Sequence, residues 1–302
     1  MPASEPAGPA VAIGIATYRR PALLRQLLES LRDLERPVPV SVYVVDNDAD
    51  GSAREVAAEF ADLDVRYSVE PAPGIAEARN AFLRAVADET HVAFVDDDER
   101  VAPDWLVRLW DAAHAYDAEV VAGPVVPVFP PNAPTWAIAG GFFERPRVAT
   151  GQRMPLAATN NSLVRRTALQ RLDSPWFDPA FSRTGGSDSD LFHRMVAAGA
   201  TIVWCDEAVV EEDVPLERMT WEWVKRRAER TGNVRARLLL NDGKRLRVGV
   251  EGVARLAVGG LRITTRTLRR RPVDAHALNT WMRGLGLLRA MRGDLIQEYQ
   301  RS

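Results

Sequence analysis

Three aspartates and a glutamate stand in a row at Asp96, Asp97, Asp98 and Glu99, directly after the apolar run His91 to Val95. Neighbouring carboxylates repel one another, and neither helix nor strand propensity calls for them, so a compensating cation is the economical explanation. Alternate carboxylates at Asp96 and Asp98 suit a hard ion, Mg²⁺ or Mn²⁺, that keeps part of its shell for phosphate oxygens; a solvated acidic turn is the competing reading. Asp46 ends a second apolar run, Val40 to Val45, at a place where a carboxylate accepts a hydrogen bond from a nucleobase or a ribose hydroxyl, or else organises a turn. Arg79 and Asn80 lie one turn into a helix that follows Gly74 and are candidates for the same pocket. A third cluster, Gly185-Gly186-Ser187-Asp188-Ser189-Asp190, precedes the apolar stripe Leu191, Met195 and Ala198. An acid there caps the helix, or is held ionised by the helix dipole, which is the state a general base needs.

These side chains need a scaffold that brings distant segments together. Val11 to Ala16 reads as a buried strand, and after Pro21 the residues Leu23, Leu24, Leu27, Leu28 and Leu31 recur at helical spacing. Val40 to Val45 is a second strand and Ser52 to Phe60 a helix. Val65 to Val69 is a third strand, followed by a helix with Ile75, Ala78, Phe82 and Ala85 on one face; His91 to Val95 is a fourth strand. Such alternation predicts βαβ units around a mostly parallel sheet, with ligands beyond the carboxyl ends of the strands. Thr17-Tyr18-Arg19, Asp46-Asn47 and Asp96 to Glu99 all fall there. Farther on, Val120 to Phe129 reads as a strand, and a proline-rich loop carries Trp136, Phe142 and Phe143. Ala157 to Val164 reads as a strand holding Asn160 and Asn161, Asp188 to Ala198 as a helix, Thr201 to Trp204 as a strand and Trp221 to Arg230 as a helix.

The 302 residues are 46% apolar and 26% charged, an ordinary globular composition that excludes a disordered or fibrous chain. With 39 basic against 41 acidic side chains, a dedicated nucleic-acid binder is not expected. A lone cysteine, Cys205, makes no internal disulfide and points to a reducing compartment. The opening residues MPASEPAGPA lack a secretory pattern, and no apolar run approaches the roughly 18 residues of a spanning helix. The expected location is the cytoplasm, with peripheral attachment to the inner face of the cell membrane as an extension of it. That extension comes from Lys244 to Pro272, which carries nine basic residues and one acid, Glu251. Leu246, Val250, Val253, Ala257, Leu261 and Leu268 share one helical face there, and Arg247, Arg255, Arg262, Arg266 and Arg270 another. Two readings stand: a helix lying in an anionic membrane surface, or a helix whose apolar face packs on the core. Gly249, Gly252, Gly259 and Gly260 weaken the helix itself.

In their order along the chain, these segments resemble family 2 glycosyltransferases of the GT-A fold. Val11-Ala-Ile-Gly-Ile-Ala-Thr-Tyr-Arg-Arg-Pro21 is similar to the opening strand and nucleotide loop, and Val44-Val-Asp46-Asn-Asp to the second-strand aspartate. Pro73-Gly-Ile-Ala-Glu-Ala-Arg79-Asn80 is similar to the Gly-x-x-x-Ala-Arg-Asn segment, and Phe94-Val-Asp96-Asp-Asp98-Glu to the Asp-x-Asp motif. Thr184-Gly-Gly-Ser-Asp188-Ser-Asp190-Leu is similar to the stretch usually written Gly-Gly-Glu-Asp-Thr-Asp-Leu. The resemblance runs from about Val11 to about Val234.

The resemblance implies a central mixed, mostly parallel α/β sheet flanked by helices, with a flexible N-terminus over 1–10. A catalytic domain would span 11–235, its nucleotide half about 11–125 and its acceptor half about 126–235, followed by a basic helical appendage over 236–302. It implies an inverting transferase that moves a sugar from a UDP-sugar, of the UDP-glucose or UDP-N-acetylglucosamine type, to an acceptor hydroxyl on a glycan, glycolipid or small metabolite. Thr17, Tyr18, Arg19, Asp46, Asn47, Arg79, Asp96 and Asp97 would hold the nucleotide and donor. Asp98 would bind Mn²⁺ or Mg²⁺, and Asp188 would be the base. Asn160, Asn161, Trp136, Trp176 and Ser187 are candidates for the sugar and acceptor pocket. Two positions depart from the pattern. Ser187 stands where many members have Glu, and Glu211-Glu212-Asp213 precedes Val214-Pro215 where many have a metal-binding His. Glu212 is the best substitute ligand, since it keeps oxygen ligation. A sugar-nucleotide nucleotidyltransferase and a non-catalytic nucleotide- or metal-binding module tethered to a membrane are the alternatives, and a second copy in a homodimer is among the expected partners.

Overall fold

The computed structural model describes residues 8–182 and 184–297; the first seven residues of the expected N-terminal segment and the last five of the C-terminal region lie outside the described residues. In chain order the elements are β1 (Val11–Thr17), α1 (Pro21–Arg32), β2 (Val40–Asp46), α2 (Arg54–Ala58), β3 (Val65–Val69), α3 (Ile75–Ala85), β4 (His91–Val95) and β5 (Glu99–Val101). Then follow α4 (Trp105–Ala115), β6 (Val120–Ala122), β7 (Val125–Val128), α5 (Thr135–Ala139), β8 (Asn161–Arg165), α6 (Arg166–Leu169), α7 (Ser187–Ala197) and β9 (Ile202–Trp204). The last four are β10 (Val210–Asp213), α8 (Trp221–Asn241), α9 (Arg245–Leu268) and α10 (Ala275–Ala290).

Two compact units result. The first takes in the chain up to Val126, Arg145–Ser182 and Ser187–Glu212. Its seven-stranded sheet has the order β3-β2-β1-β4-β8-β6-β9. β3, β2, β1 and β4 run parallel, β8 is antiparallel to both of its neighbours, and β9 is parallel to β6. This is the mixed, mostly parallel sheet expected from the sequence. The period-2 geometry of a strand separates the two faces of β1. Val11, Ile13 and Ile15 pack with Leu24, Leu27 and Leu28 of α1 and with Trp105, Leu106 and Leu109 of α4. Ala12 lies on the opposite face with Phe82 of α3 and Leu191, Phe192 and Met195 of α7. At Gly14 an added Cβ would sit 2.2 Å from the Phe82 ring, so glycine lets α3 close on the sheet.

The second unit comprises Pro127–Glu144, a short piece ending at Gly186, and the chain from Asp213 onward. Residues 235 and 236, where the sequence suggests a division, both lie inside α8. Helices α8, α9 and α10 pack through glycines. A Cβ on Gly286 of α10 would meet the Glu229 carbonyl oxygen of α8 at 2.0 Å, and one on Gly259 of α9 would meet the Trp281 backbone nitrogen of α10 at 2.6 Å. The four glycines of α9 therefore do not prevent a 24-residue helix, and at Gly252, Gly259 and Gly260 the lack of a side chain is what lets it approach α10.

Several elements differ from expectation. The strand expected over Ala157 to Val164 starts at Asn161, and the one expected over Val120 to Phe129 divides at Gly123-Pro124 into β6 and β7. The helix expected over Ser52 to Phe60 shrinks to α2, while the one expected over Trp221 to Arg230 runs on to Asn241. The apolar stripe of α9 faces away from the buried side of the helix, which carries Val248, Gly252 and Gly259, so packing of that stripe on the core is not what the structure contains.

Candidate active site

The parallel register fixes where the polar strand ends meet. Thr17 is opposite Asp46 in the β1–β2 pair, and Gly14 is opposite Phe94 in the β1–β4 pair, which carried three residues on brings Thr17 level with Asp97. Thr17 Oγ1 donates to Asp97 Oδ2 at 2.7 Å, closing that row.

Each carboxylate in the row has its own surroundings. Asp46 is fully buried and accepts from the backbone N–H of Asp48 at 3.0 Å and of Ala53 at 2.7 Å, and from Tyr67 Oη at 2.9 Å. Burial, together with the Asp46 carboxylate, pushes the Tyr67 phenol up to about 12, so it stays a donor. Asp46 thus shapes the loop after β2. Asn47 does the same for the next loop: its Nδ2 donates to the Glu70 and Ala72 carbonyls at 2.7 Å each, and its Oδ1 accepts from Gly74 N at 2.9 Å. Gly74, at φ 140°, turns the chain into α3 in a conformation that side chains disfavour.

The acidic run divides by burial. Asp97 is 5% exposed, and burial, with Asp98 and Asp96 adding repulsion, pushes its carboxyl up to about 7 against the opposing pull of Arg20 and Thr17. Arg20 Nη1 reaches both Asp97 Oδ1 and Asp98 Oδ2 at 3.3 Å. Asp96 is half-buried and pairs with Arg79 Nη2 at 2.9 Å. Arg79 itself is buried, its guanidinium 5.7 Å from the centre of the Phe177 ring. Asn80 locks that segment in place by exchanging two hydrogen bonds with the Phe177 backbone, at 2.7 and 2.9 Å. Glu99 is fully buried and accepts from Asp96 N at 2.8 Å; burial, then Asp96 and Glu212, hold its carboxyl well above the usual range.

Glu99 and Glu212 face each other across the antiparallel β5–β10 pair, where two ionised carboxylates would repel, and burial favours the protonated Glu99 instead. Arg145 pairs with Glu212, its Nη2 at 2.7 Å from Glu212 Oε2. In the amide orientation that satisfies both of its polar atoms, Asn160 also accepts from Arg145 Nη2 at 3.2 Å. On the other side of the row, Arg19 is at φ 53° and forks onto Asp48 with Nε at 3.0 Å and Nη2 at 3.3 Å, while stacking 5.2 Å from the Tyr18 ring.

The structure thus brings Thr17, Asp97, Asp98 and Asp46 to one end of the sheet and sets Arg79 with Asp96 beside them. Asp188 is half-buried in the first turn of α7, and Ser187 before it is buried. Asp190 is buried and salt-bridged to Arg194 at 2.8 Å, one helical turn on. Asn161 is committed inside the fold: Nδ2 donates to the Pro124 and Ala208 carbonyls at 2.9 and 2.7 Å, and Oδ1 accepts from Trp105 Nε1 at 2.8 Å. Trp176 donates to the Leu169 carbonyl at 3.2 Å. Trp136 belongs to the second unit, stacked on Trp221 with ring centres 4.3 Å apart. Arg20, Asp48 and Arg145 were not singled out by sequence reasoning, and Glu99 was noted only as the end of the acidic run. Arg20 was within reach of it, next to Arg19. Arg145 stands in an irregular segment where no periodicity marks it.

Among the described residues no group of three or more His, Cys, Asp and Glu converges on one point. Asp96 and Asp98 offer carboxylate oxygens, the donor class that Mg²⁺ or Mn²⁺ takes one or two at a time with water and phosphate completing the shell, and each is ion-paired, Asp96 to Arg79 and Asp98 to Arg20.

Comparison with known proteins follows the same lines. Residues 12–173 match the sequence profile of Glycosyl transferase family 2. The chain is 37% identical over 240 residues to the succinoglycan biosynthesis protein ExoM of Rhizobium meliloti (strain 1021), covering 78% of this chain and 77% of ExoM. Residues 1–349 of S. aureus TarS, solved in complex with UDP-GlcNAc, superpose with a TM-score of 0.50 at 15% identity, covering 95% of this chain and 92% of that one. GalNAc-T7, solved with UDP, GalNAc and Mn²⁺, superposes with a TM-score of 0.55 at 12% identity, covering 69% of this chain and 44% of that one, so the chain spans less than half of GalNAc-T7. At these identities the two structures share the fold.

Proposed function

The chain belongs to glycosyltransferase family 2, and on that premise we propose that it moves a sugar from a UDP-sugar to an acceptor hydroxyl with inversion at the anomeric carbon. The supporting observation is the strand-end row of Thr17, Asp46 and Asp97, with Asp96 and Asp98 beside it, on a sheet whose crevice at the carboxyl ends is where α/β folds take nucleotides. The UDP-GlcNAc in TarS and the UDP and Mn²⁺ in GalNAc-T7 support a UDP-sugar donor and a divalent cation here as well. The naming of ExoM for succinoglycan biosynthesis supports an acceptor hydroxyl on a growing glycan or glycolipid.

In this reading the first unit carries the chemistry. Asp46 and Asn47 hold the loops that receive the nucleoside, with Thr17, Tyr18 and Arg19 beside it. Arg79 and Asp96 set the edge against the ribose and diphosphate. Asp98, with Asp96, would hold the divalent cation, which when bound supplies Lewis-acid charge at the departing diphosphate. Glu212 is ion-paired to Arg145 and supplies a third oxygen only on giving up that pair.

Asp188 takes the acceptor hydroxyl proton as the acceptor oxygen bonds to the anomeric carbon and the bond from that carbon to the diphosphate oxygen breaks. The proton ends on the Asp188 carboxyl, the electron pair leaves on UDP, and attack from the face opposite UDP inverts the centre. Asp190 is a poorer base, since Arg194 holds it. Asn160 and Ser187, with Trp176, are assigned to the sugar and acceptor side.

Thermal unfolding in the presence of a panel of UDP-sugars and Mn²⁺ tests the donor, because a ligand that binds the native state raises the midpoint by mass action. One UDP-sugar should raise it clearly above the others, and UDP release should then follow on adding acceptor. No rise with any UDP-sugar would exclude the uridine donor.

A further inference from the structure

Helix α9 turns its apolar stripe outward. Leu246, Val250, Val253, Leu261 and Leu268 are between 60 and 83% exposed, while the side that packs on α10 is built from Val248, Gly252 and Gly259. At its N-terminal end the stripe opens into a shallow apolar groove that includes Arg245, Gly249 and Met291. Scattered exposed leucines need no explanation, but a row along 24 residues of one helix, about 36 Å long, does. Arg247 and Arg262 are exposed beside the stripe, and Arg269, Arg270 and Arg271 are exposed just beyond its end. The one acid of the segment, Glu251, is engaged by Arg255 at 2.9 Å and by Arg235 at 3.6 Å, so it does not offset the outer cations.

We propose that α9 docks on an anionic lipid surface, lying in its plane with the leucines and valines at the boundary between headgroups and acyl chains and the arginines on lipid phosphates. Charge complementarity selects this occupant. A second copy would bring two segments of nine basic residues and one acid against each other, and repulsion opposes that contact. A nucleic acid would meet the arginines but leave the apolar row in water. Among the described residues no helix is long and apolar enough to cross a membrane, so the mode is surface attachment. The proposal stands apart from the donor and base assignments, because its test reads binding and not turnover.

The test is co-sedimentation of the full chain with vesicles of phosphatidylglycerol and phosphatidylcholine, against vesicles of phosphatidylcholine alone. The chain should sediment with the anionic vesicles at low salt and less so at about 0.5 M salt, where charges are screened beyond a few ångströms. Replacing Arg269, Arg270 and Arg271 together by Gln should weaken that binding about fivefold for each charge removed. Changing Leu246, Leu261 and Leu268 to Ser should release the protein at every salt concentration, with circular dichroism and elution volume unchanged, because those side chains are exposed in the fold. Equal sedimentation with both kinds of vesicle, no sedimentation with the anionic ones, or full binding by either variant overturns the proposal. So does a dimer that the leucine changes dissolve in a protein that ignores lipid.

Discussion

Two neighbouring acids in α7 differ by their contacts. Asp190 is bound to Arg194, while Asp188 is half-buried one residue after a buried serine, and this separates a structural acid from a candidate base. Asp188→Asn should therefore leave the UDP-sugar dissociation constant within about twofold while lowering kcat by about 10²–10⁴, the usual worth of a general base. Single-turnover rates beside equilibrium titration check it, and near wild-type transfer would remove Asp188 from that role. Asn161 presents the opposite case. Replacing it by Ala leaves the Trp105 indole N–H and the Ala208 carbonyl buried without those partners, while the Pro124 carbonyl keeps the Val210 N–H, and the loss should cost about 3 kcal/mol. Urea unfolding reads that loss, and a variant of unchanged stability with a raised acceptor KM would return Asn161 to the acceptor pocket.

Among the elements, helix pairing in the second unit depends on residues that a propensity scale penalises. Gly286→Ala would gain up to about 1 kcal/mol of helix propensity on an exposed helix. Here the new methyl would lie 2.0 Å from the Glu229 carbonyl oxygen, so α8 and α10 must separate, and overpacking of this kind costs about 1–3 kcal/mol. The expected outcome is a lower melting temperature, which thermal unfolding measures. The same reasoning shows why α9 and its glycines were misjudged from sequence: glycine spacing looks like weakness until a partner helix fills the space. β1, β2 and β4, by contrast, were legible almost to the residue, because largely apolar runs of five to seven residues ending in polar clusters have few other interpretations in a parallel sheet. β8 was misjudged at its start because the chain before Asn161 makes no ladder, which apolar character alone does not reveal.

At the scale of the whole molecule, stability should depend on pH through a buried histidine. His91 packs edge-on to Trp110 with ring centres 4.9 Å apart, and burial, with Arg165 and His114 adding repulsion, lowers it from 6.5 to about 4. A depressed histidine is neutral in the fold, so its contribution is complete above pH 6.5 and is lost as the unfolded chain takes up the proton between 6.5 and about 4. The loss amounts to about 3 kcal/mol. Asp97, raised to about 7, works with the opposite sign, since its contribution is present at low pH and is lost as pH rises through 7. The comparison that isolates His91 is urea unfolding of wild type and His91→Phe at pH 7.5 and 5, where the variant should lose distinctly less stability on acidification. Identical slopes would mean that His91 is hydrated in solution. Metal dependence belongs at this scale too: Asp98→Ala should abolish stimulation of transfer by Mn²⁺, and unchanged stimulation would count against Asp98 as the ligand.

The amino-acid order by itself determined the alternation of strands and helices, the polar clusters at the strand ends and the family to which they belong, because local periodicity and short motifs are carried by residues close together in the chain. The near-neutral total charge, −2, concealed a basic segment that the sequence also made visible. Tertiary structure alone decided which of those polar residues are committed. Arg20 reaches Asp97 and Asp98 across 77 and 78 residues, Arg145 reaches Glu212 across 67, and Asn161 holds three partners from three other segments. It alone decided as well that the leucines of α9 face outward, since which side of an amphipathic helix is buried depends on what packs against it, and here the partner helix took the glycines.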